Sequence, residues 1–106
     1  MNVWQLSFYL VEDIYKLCGK LPKSEQFGLA SQLQRCAVSI PSNIAEGQQR
    51  NGVNEFKQFL SIARGSAAEL STQLLLVSSI YGLNTTALID RVEEIQKMLY
   101  SLQKKL

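Results

Sequence analysis

The 106-residue sequence contains no histidine. That absence removes the usual general base and the commonest metal ligand, and with them most serine-, cysteine- and metal-dependent hydrolytic schemes. Cysteine is scarce: Cys18 and Cys36 stand far apart with no second pair, so neither a zinc site nor a disulfide framework is readable. Both read as buried thiols. Cys18 also falls in the last turn of a helix, where the dipole opposes a thiolate, so it is not expected to act as a nucleophile. An excess of one charge is lacking too. Eleven basic against nine acidic residues leave a net charge of +2, too small to announce a nucleic-acid protein, so phosphate binding has to come from how the charges are arranged.

There is no long apolar run. The longest uncharged stretch, Leu70 to Ile89, contains Gly82, Asn84 and six Ser or Thr residues, too polar for a membrane span. The apolar stretch Val3 to Val11 has no positive region before it and runs into Glu12 and Asp13, which argues against a signal peptide and for the cytoplasm, with no membrane partner. The glycines form neither a Walker A pattern nor a dinucleotide fingerprint. Adjacent carboxylates, Glu12 with Asp13 and Glu93 with Glu94, point about 100° apart on a helix and are poorly placed to share a substrate. No catalytic residue, cofactor or metal is assigned, and the chain reads as a non-enzymatic protein.

What is present is helical periodicity. With 46% hydrophobic and 19% charged residues the chain is globular, and its length fits one domain over residues 1–106. Val3, Leu6, Leu10, Ile14, Leu17 and Leu21 follow spacings of three and four, predicting a first helix to about Leu17, ended by Gly19 and Pro22. A second helix is expected from near Glu25, carrying Phe27, Ala30, Leu33, Ala37, Ile40 and Ile44 inward until Gly47 offers a left-handed stop. Pro41 predicts a kink or break close to Ile40, with Ser39 and Ser42 available to the freed backbone groups.

Gln48 to Asn54 reads as a connection in which Gly52 and Glu55 make half a capping box. The third helix is the strongest signal: Phe56, Phe59, Leu60, Ala63, Ala67, Leu70, Leu74, Val77 and Tyr81 sustain the three-four alternation to Gly82, where Leu83 suits a Schellman motif. Thr85 or Thr86 can cap a fourth helix whose seam is Leu88, Val92, Ile95, Leu99, Leu102 and Leu106, with Glu93 and Lys97 paired on its outer side. Short connections and the absence of strand alternation give an all-α, antiparallel up-down-up-down four-helix bundle.

The third helix holds more apolar surface than one bundle can bury. Leu74, Leu75, Leu76 and Val77 occupy successive positions at about 100° each and point around most of the helix. Ser61, Gly65, Ala68 and Thr72 form a stripe of mostly small residues on the same helix. Tight packing against the second helix is one reading of that stripe. A subunit interface that also takes in Leu75 and Leu76 is the other, and it makes the chain a homo-oligomer. Of the basic residues, Lys57 and Arg64 stand seven apart on the third helix, Arg50 precedes it, and Arg35 is the only one within the second. Either Arg35 and Arg64 pair with Glu46 or Glu69, or Arg35, Arg50, Lys57 and Arg64 contribute to a phosphate-binding surface that an oligomer multiplies.

The stretch Val38-Ser39-Ile40-Pro41-Ser42-Asn43-Ile44-Ala45-Glu46-Gly47, followed by Phe59-Leu60-Ser61-Ile62-Ala63-Arg64-Gly65-Ser66 and Glu69-Leu70, resembles the 23S rRNA intervening-sequence protein family. Val3-Trp4-Gln5, Ile14-Tyr15, Phe27-Gly28-Leu29 and Ser31-Gln32-Leu33 fit the same family, so the likeness spans nearly the whole chain. It implies a simple four-helix bundle, often encoded within insertions in ribosomal RNA genes, and no established biochemical activity. It extends to the accessory protein of diversity-generating retroelements, which implies a homopentamer that binds nucleic acid and a protein partner. Pro41, Asn43, Arg64 and Gly65 fall in the matching motifs as architectural marks. The chain departs at Gly52, where members commonly have Ser or Thr, and in the less basic loop Gln48-Gln49-Arg50. Two functions are therefore expected: an oligomer that binds RNA or DNA, or a protein-interaction scaffold without intrinsic nucleic-acid binding.

Overall fold

The three-four spacings resolve into four helices in a computed structural model of residues Met1–Leu106: α1 (Val3–Cys18), α2 (Leu29–Gln49), α3 (Val53–Tyr81) and α4 (Thr86–Lys105), with one 3-10 turn at Lys23–Glu25 between α1 and α2. Side-chain and backbone contacts fix the topology. Cys36 meets Gln73 and Ser39 meets Ser66 across α2 and α3, while Lys57 and Arg64 of α3 meet Gln103 and Gln96 of α4. Asp13 of α1 pairs with Arg91 of α4. Cys36 with Gln73, Lys57 with Gln103 and Asp13 with Arg91 each join one end of a helix to the opposite end of its neighbour, while the other two pairs meet near mid-helix, so these neighbours are antiparallel in a bundle of 43 × 23 × 20 Å.

The inward faces are those that periodicity marks. Leu10, Ile14, Leu33, Ile40, Ile44, Leu60, Leu70, Leu74, Ile95 and Leu99 are essentially without solvent contact. Burying such side chains contributes roughly 1.5–3 kcal/mol each and outweighs any single polar contact here. On α3, Leu74 and Val77 are buried while Leu75 and Leu76 are 59% and 44% exposed. Small residues let the helices approach closely: Ala37, Ala63 and Ala67 are fully buried in the core, and Ala30 is buried beside Cys18 of α1.

Several local features differ from the periodicity. The second helix starts at Leu29, four residues later than expected, and Phe27 is 90% exposed instead of inward. Gly28 adopts a non-helical backbone (φ −112°, ψ −113°) that breaks the run. The Glu25 carboxylate accepts the Leu29 N–H at 3.1 Å and also the Tyr81 hydroxyl, capping α2 from outside. The Tyr81 hydrogen bond first, and the Leu29 N–H second, hold the Glu25 carboxyl below its ordinary value. A carboxyl lowered in this way stabilises the fold above its unfolded pKa, and that contribution is lost as pH falls through the folded one.

Pro41 does not break α2, which is unbroken to Gln49. Its neighbourhood is braced from the side. The Asn43 carboxamide donates to the Ser39 carbonyl at 2.7 Å and to Ser39 Oγ at 2.9 Å. Ser39 Oγ in turn lies 2.7 Å from Ser66 Oγ of α3, and no hydrogen bond of Ser42 accompanies it.

Gly47 is not a left-handed stop either, since only Gly52 and Gly82 have positive φ. It lies within α2, where a Cβ would come 2.8 Å from Phe59 Cβ and 2.9 Å from Phe56 Cδ1. The α2–α3 connection is correspondingly shorter than expected, only residues 50–52.

Gly82 ends α3 in the left-handed region (φ 68°), its N–H donating to the Ser78 carbonyl. That single bond is an αL cap, not the Schellman pair. At the start of α4 Thr85 is the N-cap residue, but its buried hydroxyl donates to Leu74 O and makes no capping bond; Asn84 Oδ1 accepts the Thr86 N–H at 3.0 Å in its place. Glu93 and Lys97 form no ion pair; Asp13 of α1 takes the contacts with Arg91 and Lys16 instead.

Gly52 has φ 119° and ψ 155°, a region that essentially only glycine occupies. Gly52→Ala is expected to destabilise the fold by about 1–3 kcal/mol although nothing lies near the added methyl. Urea unfolding followed by circular dichroism measures it.

Candidate nucleic-acid interface

Antiparallel packing of α3 on α4 places Lys57, Ser61 and Arg64 beside Tyr100, Gln103 and Lys104. One carboxamide ties this face together. Gln103 Oε1 accepts from Arg64 Nη1 at 2.8 Å, and its Nε2 donates to the Lys57 carbonyl at 2.8 Å and to Ser61 Oγ at 2.6 Å. The Arg64 guanidinium lies 4.9 Å from the Tyr100 ring centroid, and Lys104 Nζ lies 5.5 Å from the same centroid. Two cations therefore share one aromatic ring, with no carboxylate between them. Such contacts hold a guanidinium in place without neutralising it.

The molecule has three ion pairs, Lys16–Asp13, Arg50–Glu46 and Arg91–Asp13. Arg35 and Arg64 consequently pair with neither Glu46 nor Glu69. Arg50 does pair with Glu46, at 3.1 Å, and its guanidinium lies 5.1 Å from the Phe59 ring centroid. Arg35 is exposed on α2, next to Cys36, which faces Gln73. Nine residues of α3 separate that level from Arg64, about 13 Å along the axis. Of the four basic residues, Lys57 and Arg64 both adjoin Gln103, Lys57 through its backbone carbonyl and Arg64 through its guanidinium, while Arg50 is partly neutralised by Glu46 and Arg35 stands apart.

The stripe Ser61, Gly65, Ala68 and Thr72 is exposed along α3, continuing through Leu75, Leu76 and Ile80. Ser61 lies at its α4 edge, engaged by Gln103. These residues do not pack against α2, so the small-residue supply is divided. Ala63 and Ala67 serve the bundle, and the stripe is left on the surface.

Burial pushes the thiols of Cys18 and Cys36 up from their ordinary values. Cys36 is buried and Cys18 half-buried. No group of three or more Cys, Asp or Glu side chains is placed to hold a metal, and no helix is long and apolar enough to cross a membrane.

The family model described as 23S rRNA-intervening sequence protein matches residues 1–101, a span that takes in both motif-bearing helices. The chain belongs to that family. A crystal structure from Bacteroides thetaiotaomicron, of a protein with unknown function from the S23 ribosomal protein family, is 26% identical over 96% of this chain and 98% of its own, with a TM-score of 0.89. No curated protein matches the chain.

In this member of the 23S rRNA-intervening sequence family, Tyr100, Gln103 and Lys104 complete the basic face, and periodicity alone did not single them out. They lie on the side of α4 that reads as solvated. Their only signal is position, since residues three and four apart share a helix face. A second unexpected feature is the outer surface of α1, which has more than one apolar face. Trp4 and Phe8 stack at 5.4 Å between centroids and, with Val11, Val38, Pro41 and Ala45, line a groove of about 370 Å³ between α1 and α2.

Proposed function

We propose that this intervening-sequence family protein is a non-enzymatic, cytoplasmic homo-oligomer that binds RNA or DNA phosphates through the α3–α4 face, with Arg64 and Lys57 as principal contacts and Lys104 beside them. The observation that carries the reading is Arg64: its guanidinium is fixed by Gln103 and Tyr100, yet no carboxylate neutralises it. Arg35 and Arg50 contribute from neighbouring surfaces. A net charge of +2 per chain is modest, but an assembly repeats the same face in every subunit and gains by avidity. The exposed stripe of α3 supports self-association. Likeness to the accessory protein of diversity-generating retroelements favours five subunits.

Mobility-shift titrations against a structured RNA and a DNA duplex at 50 and 200 mM salt test the reading. Binding is expected to weaken with salt, and R64A/K57A is expected to lower affinity at least tenfold and to flatten the salt slope by about 0.9 for each phosphate that is no longer neutralised. Absence of any binding at low salt would remove this function. The Trp4–Phe8 groove favours the second reading, a protein-interaction scaffold, and co-purification of a protein partner that Phe8→Glu abolishes would establish it.

A further inference from the structure

At the other end of the helices from the Glu25–Tyr81 clamp, α1 and α4 part. They are the least closely packed neighbours in the bundle. Between them, closed off by the end of α2, opens a cleft of about 650 Å³. Its apolar lining is Val3, Trp4, Ile44, Met98 and Leu102, and it reaches the fully buried Ile44. Volumes of roughly 300–1,000 Å³ with mostly apolar walls and a few polar groups are typical of small-molecule sites.

The polar part of the lining has one sign. Lys97 and Lys105 stand eight residues apart on α4 with Ser101 between them on the same stripe, and Asn2 and Gln48 are neutral. No Asp or Glu lines the cleft, and neither lysine is in an ion pair. The N-terminus of α1 opens here with no acidic residue in its first turn, but the C-terminal ends of α2 and α4 bring opposing dipole ends to the same level, so the sign of the cleft comes from the lysines. A purely apolar occupant would gain nothing from the two exposed ammonium groups, and a purely hydrophilic anion would leave the partly exposed Trp4, Met98 and Leu102 against water. The two requirements together select an amphipathic anion.

We infer that this cleft binds a small organic anion with an apolar body, of the class of medium-chain carboxylates, its headgroup at Lys97 or Lys105 and its chain against Met98, Leu102 and Trp4. The site is separate from the α3–α4 face and includes no residue of α3, so an assembly built through the α3 stripe leaves it open.

Trp4 is the sole tryptophan and lines both this cleft and the α1–α2 groove, so its emission reports binding and the lysine variants assign the binding to the cleft. Decanoate, kept below its micelle concentration, is titrated into the full-length protein with decanol and inorganic phosphate as controls. Decanoate is expected to change Trp4 emission saturably, decanol to bind at least tenfold more weakly, and phosphate to leave the emission unchanged. K97Q/K105Q is expected to weaken decanoate about tenfold, the scale of a charge-assisted contact, with unchanged helical circular dichroism. Leu102→Gln is expected to weaken decanoate and decanol alike. No saturable response to decanoate, or equal affinity for decanoate in K97Q/K105Q and the parent, overturns the assignment. R64A is expected to leave decanoate binding intact, which keeps this result independent of nucleic-acid binding.

Discussion

Replacing Leu75 and Leu76 together by glutamate is expected to convert the proposed oligomer into a monomer of 11.9 kDa without unfolding it. Both side chains already face solvent in the isolated bundle, so two carboxylates there are hydrated and displace nothing from the core. At a subunit contact the same carboxylates would be buried without partners, at a cost of several kcal/mol per charge. Light scattering after size exclusion at micromolar concentration reads the result, with circular dichroism confirming the helices. Parent protein that is itself monomeric at that concentration sinks the idea. Gly65→Ala sharpens the test. With open space around the added methyl, alanine should stabilise the isolated helix by up to about 1 kcal/mol, whereas a closely seated neighbouring subunit turns that gain into weaker association.

A comparably large effect is expected at Gly47, this time on stability. Alanine is favoured over glycine inside a helix by about 1 kcal/mol, so Gly47→Ala on an open surface would be stabilising. Here the new Cβ would press on Phe59 Cβ, which is fixed to the α3 backbone and cannot swing aside. Overpacking of this kind costs about 1–3 kcal/mol, and Gly47→Val, with two more methyls, should exceed it. At about 4–8 °C of Tm per kcal/mol for a domain near this size, thermal unfolding by circular dichroism resolves the change. A melting temperature equal to or above that of the parent in Gly47→Val would show that α2 and α3 can separate at no cost.

These two sites also mark where reading the sequence succeeds and where it stops. Successive positions rotate by about 100° on a helix, so the fate of Leu74 to Val77 follows from arithmetic: two inward, two outward. The antiparallel order follows from connections too short to cross the bundle. Gly47 is different. Its role depends on Phe56 and Phe59 of another helix, and a three-four pattern says which side faces in but not which atoms meet there. The late start of α2 has the same origin, since the carboxylate that caps it also answers Tyr81, more than fifty residues away. On the candidate interface, Arg64 and Lys57 share a readable stripe, but Gln103, which holds Arg64, is an ordinary polar residue on an ordinary polar face. Arg35 shows the converse, a basic residue in a motif-rich helix that the fold places away from the others.

The order in which the helices pack bears on how the chain reaches this structure. Packing is densest between α1 and α2, α2 and α3, and α3 and α4, and the pair most distant in sequence, α1 and α4, is the one held most loosely. Little chain entropy has to be spent on distant loops before native pairings form, and bundles of such low contact order fold in about microseconds to milliseconds. Helical hairpins can accordingly form as the chain emerges, and α1 can pack on α2 before the C-terminal helix is finished.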